Sequence, residues 1–488
     1  MSERLSQAAT ADLPAAVETP GYDRNAVTQG VVHLGIGAFH RAHQAAVFDA
    51  ALRAGDLRWG ITGVSLRSGS VRDQLNPQDG LYSLVVREGD QQDIRIIGAV
   101  DTVVVAPEDP QAVVAALASP DTHIVTLTVT EKGYKLDPAT GRLRDDDADI
   151  AADLQSLAAP HTVPGLLVAG LAQRKAAGLP PFTAISCDNL PHNGQRLRKA
   201  VMTMARAHDK ALADWIEAEG AFPQTMVDRI VPATTDEDIA ALAETLGVED
   251  RGMVKTEPFT QWVIENRFAG PRPDFDALGV QLTDAVPPWE DAKLRLLNGS
   301  HSGLAYLGGL AGIDFVHEMV AREDARRFVE TLWNEAEVTL SPPPGLDIAA
   351  YRAELMARFA NSALQHRTRQ IAIDGSQKLP QRLLATIAAR REEGLASPAL
   401  TLAVAAWMRW QGGTDDAGKP HTVDDPLADR TAAALNGCDT AEARVKALLA
   451  INAIFPTELA ADQPFRSALT EWLNILETDG ALVAMATL

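Results

Sequence analysis

Cysteine is nearly missing: Cys187 and Cys438 are the two present in 488 residues. So few thiols exclude a disulfide framework and a thiolate-rich zinc site, and they suit a reducing compartment. Long hydrophobic runs are missing too. No stretch reaches the roughly 18 apolar residues of a membrane span, and the best candidate, 301–313, is short and rich in glycine. Basic residues are scarce, 44 Lys and Arg against 65 Asp and Glu, for a formal charge of −21. A surface that acidic repels nucleic acid and anionic lipid, so the expected partner is a small molecule. The opening residues, MSERLSQAATADLPAAVETP, carry no apolar core flanked by basic residues, and the expected location is the cytoplasm.

The remaining composition is that of a globular chain long enough for two or three domains. Its first half alternates short apolar strands with helices. VVHLGIG (31–37) reads as a strand ending in glycines, with a helix over 39–55 after it, and WGITGVSL (59–66) as a second strand. Residues 81–100 read as a hairpin, and 123–130 as a central strand. The stretches 182–188 and 225–231 repeat the pattern, with helices at 163–178 and 194–218. Such alternation predicts a mostly parallel sheet covered on both faces. Beyond the Pro/Gly-containing stretch 268–288 only helical periodicity remains. The expected organisation is an extension over 1–28, an α/β domain over 29–285 and a helical domain over 286–488.

Gly35 and Gly37 follow the first strand, where glycine lets the backbone turn tightly and approach a pyrophosphate at a helix N-terminus. The third glycine of G-x-G-x-x-G is replaced by His40. A carboxylate after the second strand would mark NAD, yet that strand ends Leu66-Arg67-Ser68, and Arg67 could instead pair with the extra phosphate of NADP. The expected cofactor contacts are Gly35, Gly37, Ala38, Phe39, Arg67 and Thr130. His40 and His43 have helical spacing but no third ligand nearby, so no metal is expected.

The segment WEDAKLRLLNGSHSGLAYLGGL (289–310) places polar residues on an apolar helix. At about 100° per residue, Lys293, His301 and Asn298 fall within an arc of about 140°, shared with Leu297 and Leu304. Polar groups on a buried face need partners or a substrate. They suit metal-free alcohol oxidation, with Lys293 as base, Asn298 donating to the developing alkoxide, and His301 donating to the same oxygen or orienting the sugar. The bland alternative is a lysine reaching the surface beside helix-capping neighbours. Asn189, just after a strand, is well placed for a ligand; Asp228 could orient Lys293 or a hydroxyl, or be structural; Lys132 in TEKGY is a rival base. Against the acidic background, HRTRQIAIDGSQKLPQR (366–382) carries Arg367, Arg369, Lys378 and Arg382 with one acid, Asp374, which suits a carboxylate or phosphate.

Taken together, HLGIGAFHRAHQ, TVTEKGY, SCDNLP, TMVDRIVP and KLRLLNGSHSGLAYLG resemble the polyol-specific long-chain dehydrogenases, the mannitol dehydrogenase family, over residues 33 to about 385. The resemblance implies a Rossmann-type N-terminal domain, a helical C-terminal domain, an active site between them and no catalytic metal. It implies Lys293 as general acid/base, Asn189 and Asn298 as the oxyanion-stabilising pair, His301 on substrate, and Asp228 and Glu290 in support. NAD(H) is the cofactor it favours. The stretch 366–382 is more similar to fructuronate reductases than to the mannitol enzymes, so D-fructuronate/D-mannonate is the expected substrate pair. Arg369 and Lys378 are the candidates for its carboxylate, and a neutral polyol such as mannitol or arabinitol is the alternative.

Overall fold

The computed structural model describes residues 3–137 and 142–488. It divides into two compact units, Met1–Val286 and Pro287–Leu488. Strands β1 (Val31–Leu34), β2 (Ile61–Ser65), β3 (Tyr82–Glu88), β4 (Gln91–Ile97), β5 (Val100–Val105), β6 (Ile124–Leu127), β7 (Thr183–Ser186), β8 (Thr225–Asp228), β9 (Val254–Thr256), β10 (Gln261–Glu265) and β11 (Gln281–Thr283) all belong to the first unit.

Five of them form a wholly parallel sheet in the order β5-β2-β1-β6-β7, so β1 is central. Side chains on a strand alternate between faces, and here both faces are buried. Val32, Leu34, Val125, Leu127 and Ala184 meet Val113 and Leu117 of helix Pro110–Ala118, Leu166 and Leu167 of helix Val163–Ala176, and Leu197 and Val201 of helix Asn193–His208. Val31, Ile124 and Ile185 point the other way, toward Phe48, Trp262 and Phe275. That second face is covered by helix α2 (Gln44–Arg53) together with part of a smaller sheet.

Several expectations are corrected here. Residues 225–231 do not join the parallel sheet: β8 pairs antiparallel with β10 in the separate sheet β11-β10-β8. A short apolar run reads the same whichever sheet receives it. The edge strand β5 follows the β3–β4 hairpin without an intervening helix; it starts at Val100, the last residue of the stretch read as a hairpin, and no strand was expected over the rest of it. The helix expected over 39–55 breaks at His43 (φ −113°, ψ −84°) into α1 (Ala38–Ala42) and α2. The one expected over 194–218 breaks at Asp209, whose carboxylate caps helix Lys210–Glu219 by accepting from the Ala211 N–H.

The second unit is helical. At its centre helix Gly299–Leu310 is buried at every residue. Its glycines allow this: a side-chain carbon at Gly303 would lie 2.5 Å from the Phe328 ring. Among the described residues, no helix of either unit is long and apolar enough to cross a membrane.

Candidate active site

In the N-terminal unit the turn after β1 is built by backbone. Gly35 has φ +94°, and a Cβ there would stand 2.3 Å from the Thr128 carbonyl oxygen, so no larger residue fits. The buried His33 holds this turn from below. Its Nε2 lies 2.9 Å from Thr128 Oγ1, which itself donates to the Gly35 carbonyl at 2.9 Å. The hydroxyl therefore accepts from Nε2–H, and Nδ1 accepts from Thr126 Oγ1 at 2.7 Å. Burial pushes the His33 pKa down to about 3, so the ring stays neutral. His33 carried no signal in the sequence beyond being a polar residue inside an apolar strand.

Gly37 precedes α1, and a Cβ there would find nothing closer than 3.8 Å. The glycine turn is thus tight at Gly35 and open at Gly37, which fits a pyrophosphate approaching the backbone. Ala38 and Phe39 begin α1, and the Phe39 ring stacks on His43 at 5.1 Å. His40 stacks face to face on His33 at 3.3 Å. His43 Nε2 lies 2.9 Å from the Gln261 carbonyl and its Nδ1 3.0 Å from Gln44 Nε2, so both ring nitrogens already bond within the fold. Arg67 is exposed beyond β2.

The ends of β6 and β7 carry a second polar group. Thr130 adopts φ +65°, and its N–H donates to Asp188 Oδ1 at 2.7 Å. The Tyr134 hydroxyl donates to the other Asp188 oxygen, and burial raises both pKa values. Asn189 is exposed in the segment that follows, before helix Asn193–His208. Lys132 is exposed in the short helix Thr130–Gly133. Asp228 is the buried last residue of β8, opposite Gln261.

In the C-terminal unit, Lys293–Asn298 is a π-helical turn rather than α-helix: the Gly299 N–H reaches back to the Leu294 carbonyl. This corrects the ideal-helix arithmetic. Residues five apart are separated by about 140° on an α-helix, but an i→i+5 turn brings Lys293 and Asn298 toward one line. Asn298, Ser302 and Tyr306 continue that line at four-residue spacing. The wide turn is held from outside, with Trp333 Nε1 donating to the Leu296 carbonyl at 3.1 Å and Arg295 Nη1 donating to the Thr339 carbonyl at 2.6 Å. Pro380–Leu384 forms a second π-turn, where Pro380 has no N–H to donate. The two turns pack together: a Cβ at Gly299 would lie 3.1 Å from the Arg382 carbonyl oxygen.

Lys293 is buried at 7% exposure. Asn298 Oδ1 and His301 Nε2 are buried with no hydrogen-bond partner among the described residues. Burial, with His366 and the Arg358, Arg382 and Lys378 charges around it, holds His301 well below its ordinary pKa. Its ring meets His366 edge-on at 4.9 Å and Phe359 at 4.8 Å. Glu290, one turn before Lys293, is pushed up to about 7 by burial, opposed by the Lys293 charge.

The basic segment spreads out. Arg367 stacks over the Phe315 ring at 5.0 Å, and Arg369 faces Asp415 at 3.6 Å. Lys378 donates to the Ile371 and Ile373 carbonyls at 3.2 and 2.5 Å. Arg382 donates to Ser302 Oγ at 3.2 Å. Ser302 and His366 were missed in the sequence because serine and histidine carry no signal of their own in a helical pattern.

A wholly parallel sheet with a glycine turn after its central strand, followed by a helical unit, defines a Rossmann-type chain with a helical second domain. Residues 29–277 match the mannitol dehydrogenase Rossmann domain and residues 285–476 the mannitol dehydrogenase C-terminal domain. The chain belongs to the mannitol dehydrogenase family and is an oxidoreductase of that family. It is 43% identical to a mannitol 2-dehydrogenase of Pyrenophora tritici-repentis, over 96% of this chain and 83% of that one. Similarity to the D-mannonate oxidoreductase of Escherichia coli K12 is equal in degree, at 42% over 97% and 98%. The Pseudomonas fluorescens mannitol 2-dehydrogenase, solved as a ternary complex with NAD and D-mannitol, superposes with a TM-score of 0.85 at 37% identity, covering 99% of each chain.

Proposed function

We propose that this protein is an NAD(H)-dependent oxidoreductase that interconverts D-fructuronate and D-mannonate without a metal. The observation that carries the reading is the C-terminal helix: a buried lysine and an asparagine with a buried, unpartnered Oδ1 brought toward one line by a π-turn, with the Arg358, Arg382 and Lys378 charges acting on His301. Relatives named for a sugar acid and for a sugar alcohol support the reaction class.

The glycine turn at Gly35 and Gly37, with Ala38 and Phe39, is proposed to hold the dinucleotide, and Thr130 to line its far side. NADH, when bound, supplies the hydride that the keto carbon takes up. Lys293 in its ammonium form holds the proton that the carbonyl oxygen acquires, and in the reverse direction the neutral amine accepts it. Asn298 donates from its amide to the oxygen as charge develops there, and Asn189 is assigned the same task. His301, kept neutral, bonds a substrate hydroxyl. Glu290 modulates the Lys293 proton, and Asp228 is assigned a supporting role. The exposed Arg67, where an NAD enzyme often has an acid, leaves room for NADPH as a second cofactor.

Mannitol 2-dehydrogenase activity is the second reading, favoured by the equal similarity to enzymes of that name. Initial rates with D-fructuronate and D-fructose, each with NADH and NADPH, separate the two. A higher kcat/KM for D-fructuronate is expected. A preference for D-fructose would leave the reaction type standing and remove the sugar acid.

A further inference from the structure

Arg382 of the C-terminal unit lacks, among the described residues, the counter-charge that burial normally demands. Arg382 is half-buried in the second π-turn, and burial lowers its pKa to about 10, which leaves it charged at neutrality. Among the described residues it forms no ion pair, and its hydrogen bond goes to the neutral Ser302 hydroxyl. The other cations of the basic segment are engaged: Arg367 with an aromatic ring, Arg369 with Asp415, Lys378 with two backbone carbonyls. The nearby Tyr306 phenol is held neutral by burial and donates to the Ala372 carbonyl.

We propose that Arg382 is the specificity-determining residue of this site, binding the carboxylate of a keto-acid sugar. The proposal rests on the sugar-acid reading above and replaces Arg369 and Lys378 as the carboxylate's partner. The spacing supports it. Ser302 lies four residues beyond Asn298 on one helix, a rise of about 6 Å. In D-fructuronate four C–C bonds of about 1.5 Å join the keto carbon to the carboxyl carbon, an extended reach of about 5 Å. A ketone oxygen held by Lys293 and Asn298 therefore leaves the carboxylate one helical turn away, beside Ser302, where the Arg382 fork can meet both oxygens. A neutral ketose places a hydroxymethyl group there and leaves the guanidinium without its anion.

The test is kcat/KM for D-fructuronate and for D-fructose with NADH in the wild type, Arg382→Gln and Arg382→Lys. In Arg382→Gln the fructuronate-to-fructose ratio should fall about 10²-fold, mainly through KM for the acid. Arg382→Lys keeps the charge but not the fork, and should lose about 10-fold; it also serves if the glutamine variant does not fold. Competitive inhibition by D-mannonate should weaken in step with the ratio. An unchanged ratio, or equal losses on both substrates, overturns the assignment while leaving the sugar-acid reading intact. A wild type that prefers D-fructose overturns that reading itself, and the role of Arg382 falls with it.

Discussion

Two sets of buried polar groups, one in each unit, differ in how they are satisfied. In the N-terminal unit, Asp250 is fully buried and accepts from Gln78 Nε2 and from the Ser83 and Gly252 N–H groups. Asp153, equally buried, accepts from the His161 and Thr162 N–H groups and the Thr162 hydroxyl. In the C-terminal unit the buried Asn298 Oδ1 and His301 Nε2 have no hydrogen-bond partner among the described residues, and Arg382 pairs with no carboxylate there. Satisfied networks fix a fold; unsatisfied groups that remain buried are the ones a ligand can complete.

The sharpest way to break this contrast is Lys293→Ala. Turnover should fall by about 10²- to 10⁴-fold, while NADH binding, followed by fluorescence titration, persists. Turnover near the wild-type level would remove Lys293 from the chemistry. Asn298→Ala should cost about 10²- to 10³-fold in kcat if its amide meets the developing alkoxide. A change confined to KM would make it a substrate contact only.

Asp250→Ala tests the other side. Three donors lose their acceptor, so the protein should lose about 3 kcal/mol in denaturant unfolding, with kcat of the folded enzyme retained. Destabilisation below about 0.5 kcal/mol would mean the network is not structural.

The smallest expected effect is on pH dependence. Glu290 is neutral below about 7 and anionic above it, because burial raises its pKa. The anion favours the Lys293 ammonium. Glu290→Gln should therefore remove one ionisation near neutrality from the kcat/KM profile and shift the rise in alcohol oxidation to lower pH. A profile that keeps that inflection assigns it to another group.

Much of the fold was legible because it rests on period and punctuation. The parallel core strands announce themselves as apolar runs, and Gly35 marks the turn after the central one. Strand β8 was misassigned because TMVD is apolar enough for either sheet; its antiparallel partner, β10, lies more than 30 residues further on. In the site, Lys293, Asn298 and His301 stood out as polar residues in a buried helix. Their mutual placement did not, since ideal winding has no room for a π-turn. Pro380 hints at the second π-turn, whereas nothing in KLRLLN announces the first, which depends on Trp333 and Arg295 gripping it from outside.

The sequence by itself determined the class of fold, the family and the residue types available for catalysis, because hydrophobic period, glycine turns and rare polar residues are local properties. What each cation of the basic segment meets was decided only by the tertiary structure. Arg367, Arg369, Lys378 and Arg382 are equivalent as letters. Phe315, Asp415 and two backbone carbonyls, brought up by folding, engage the first three and leave Arg382 beside Ser302.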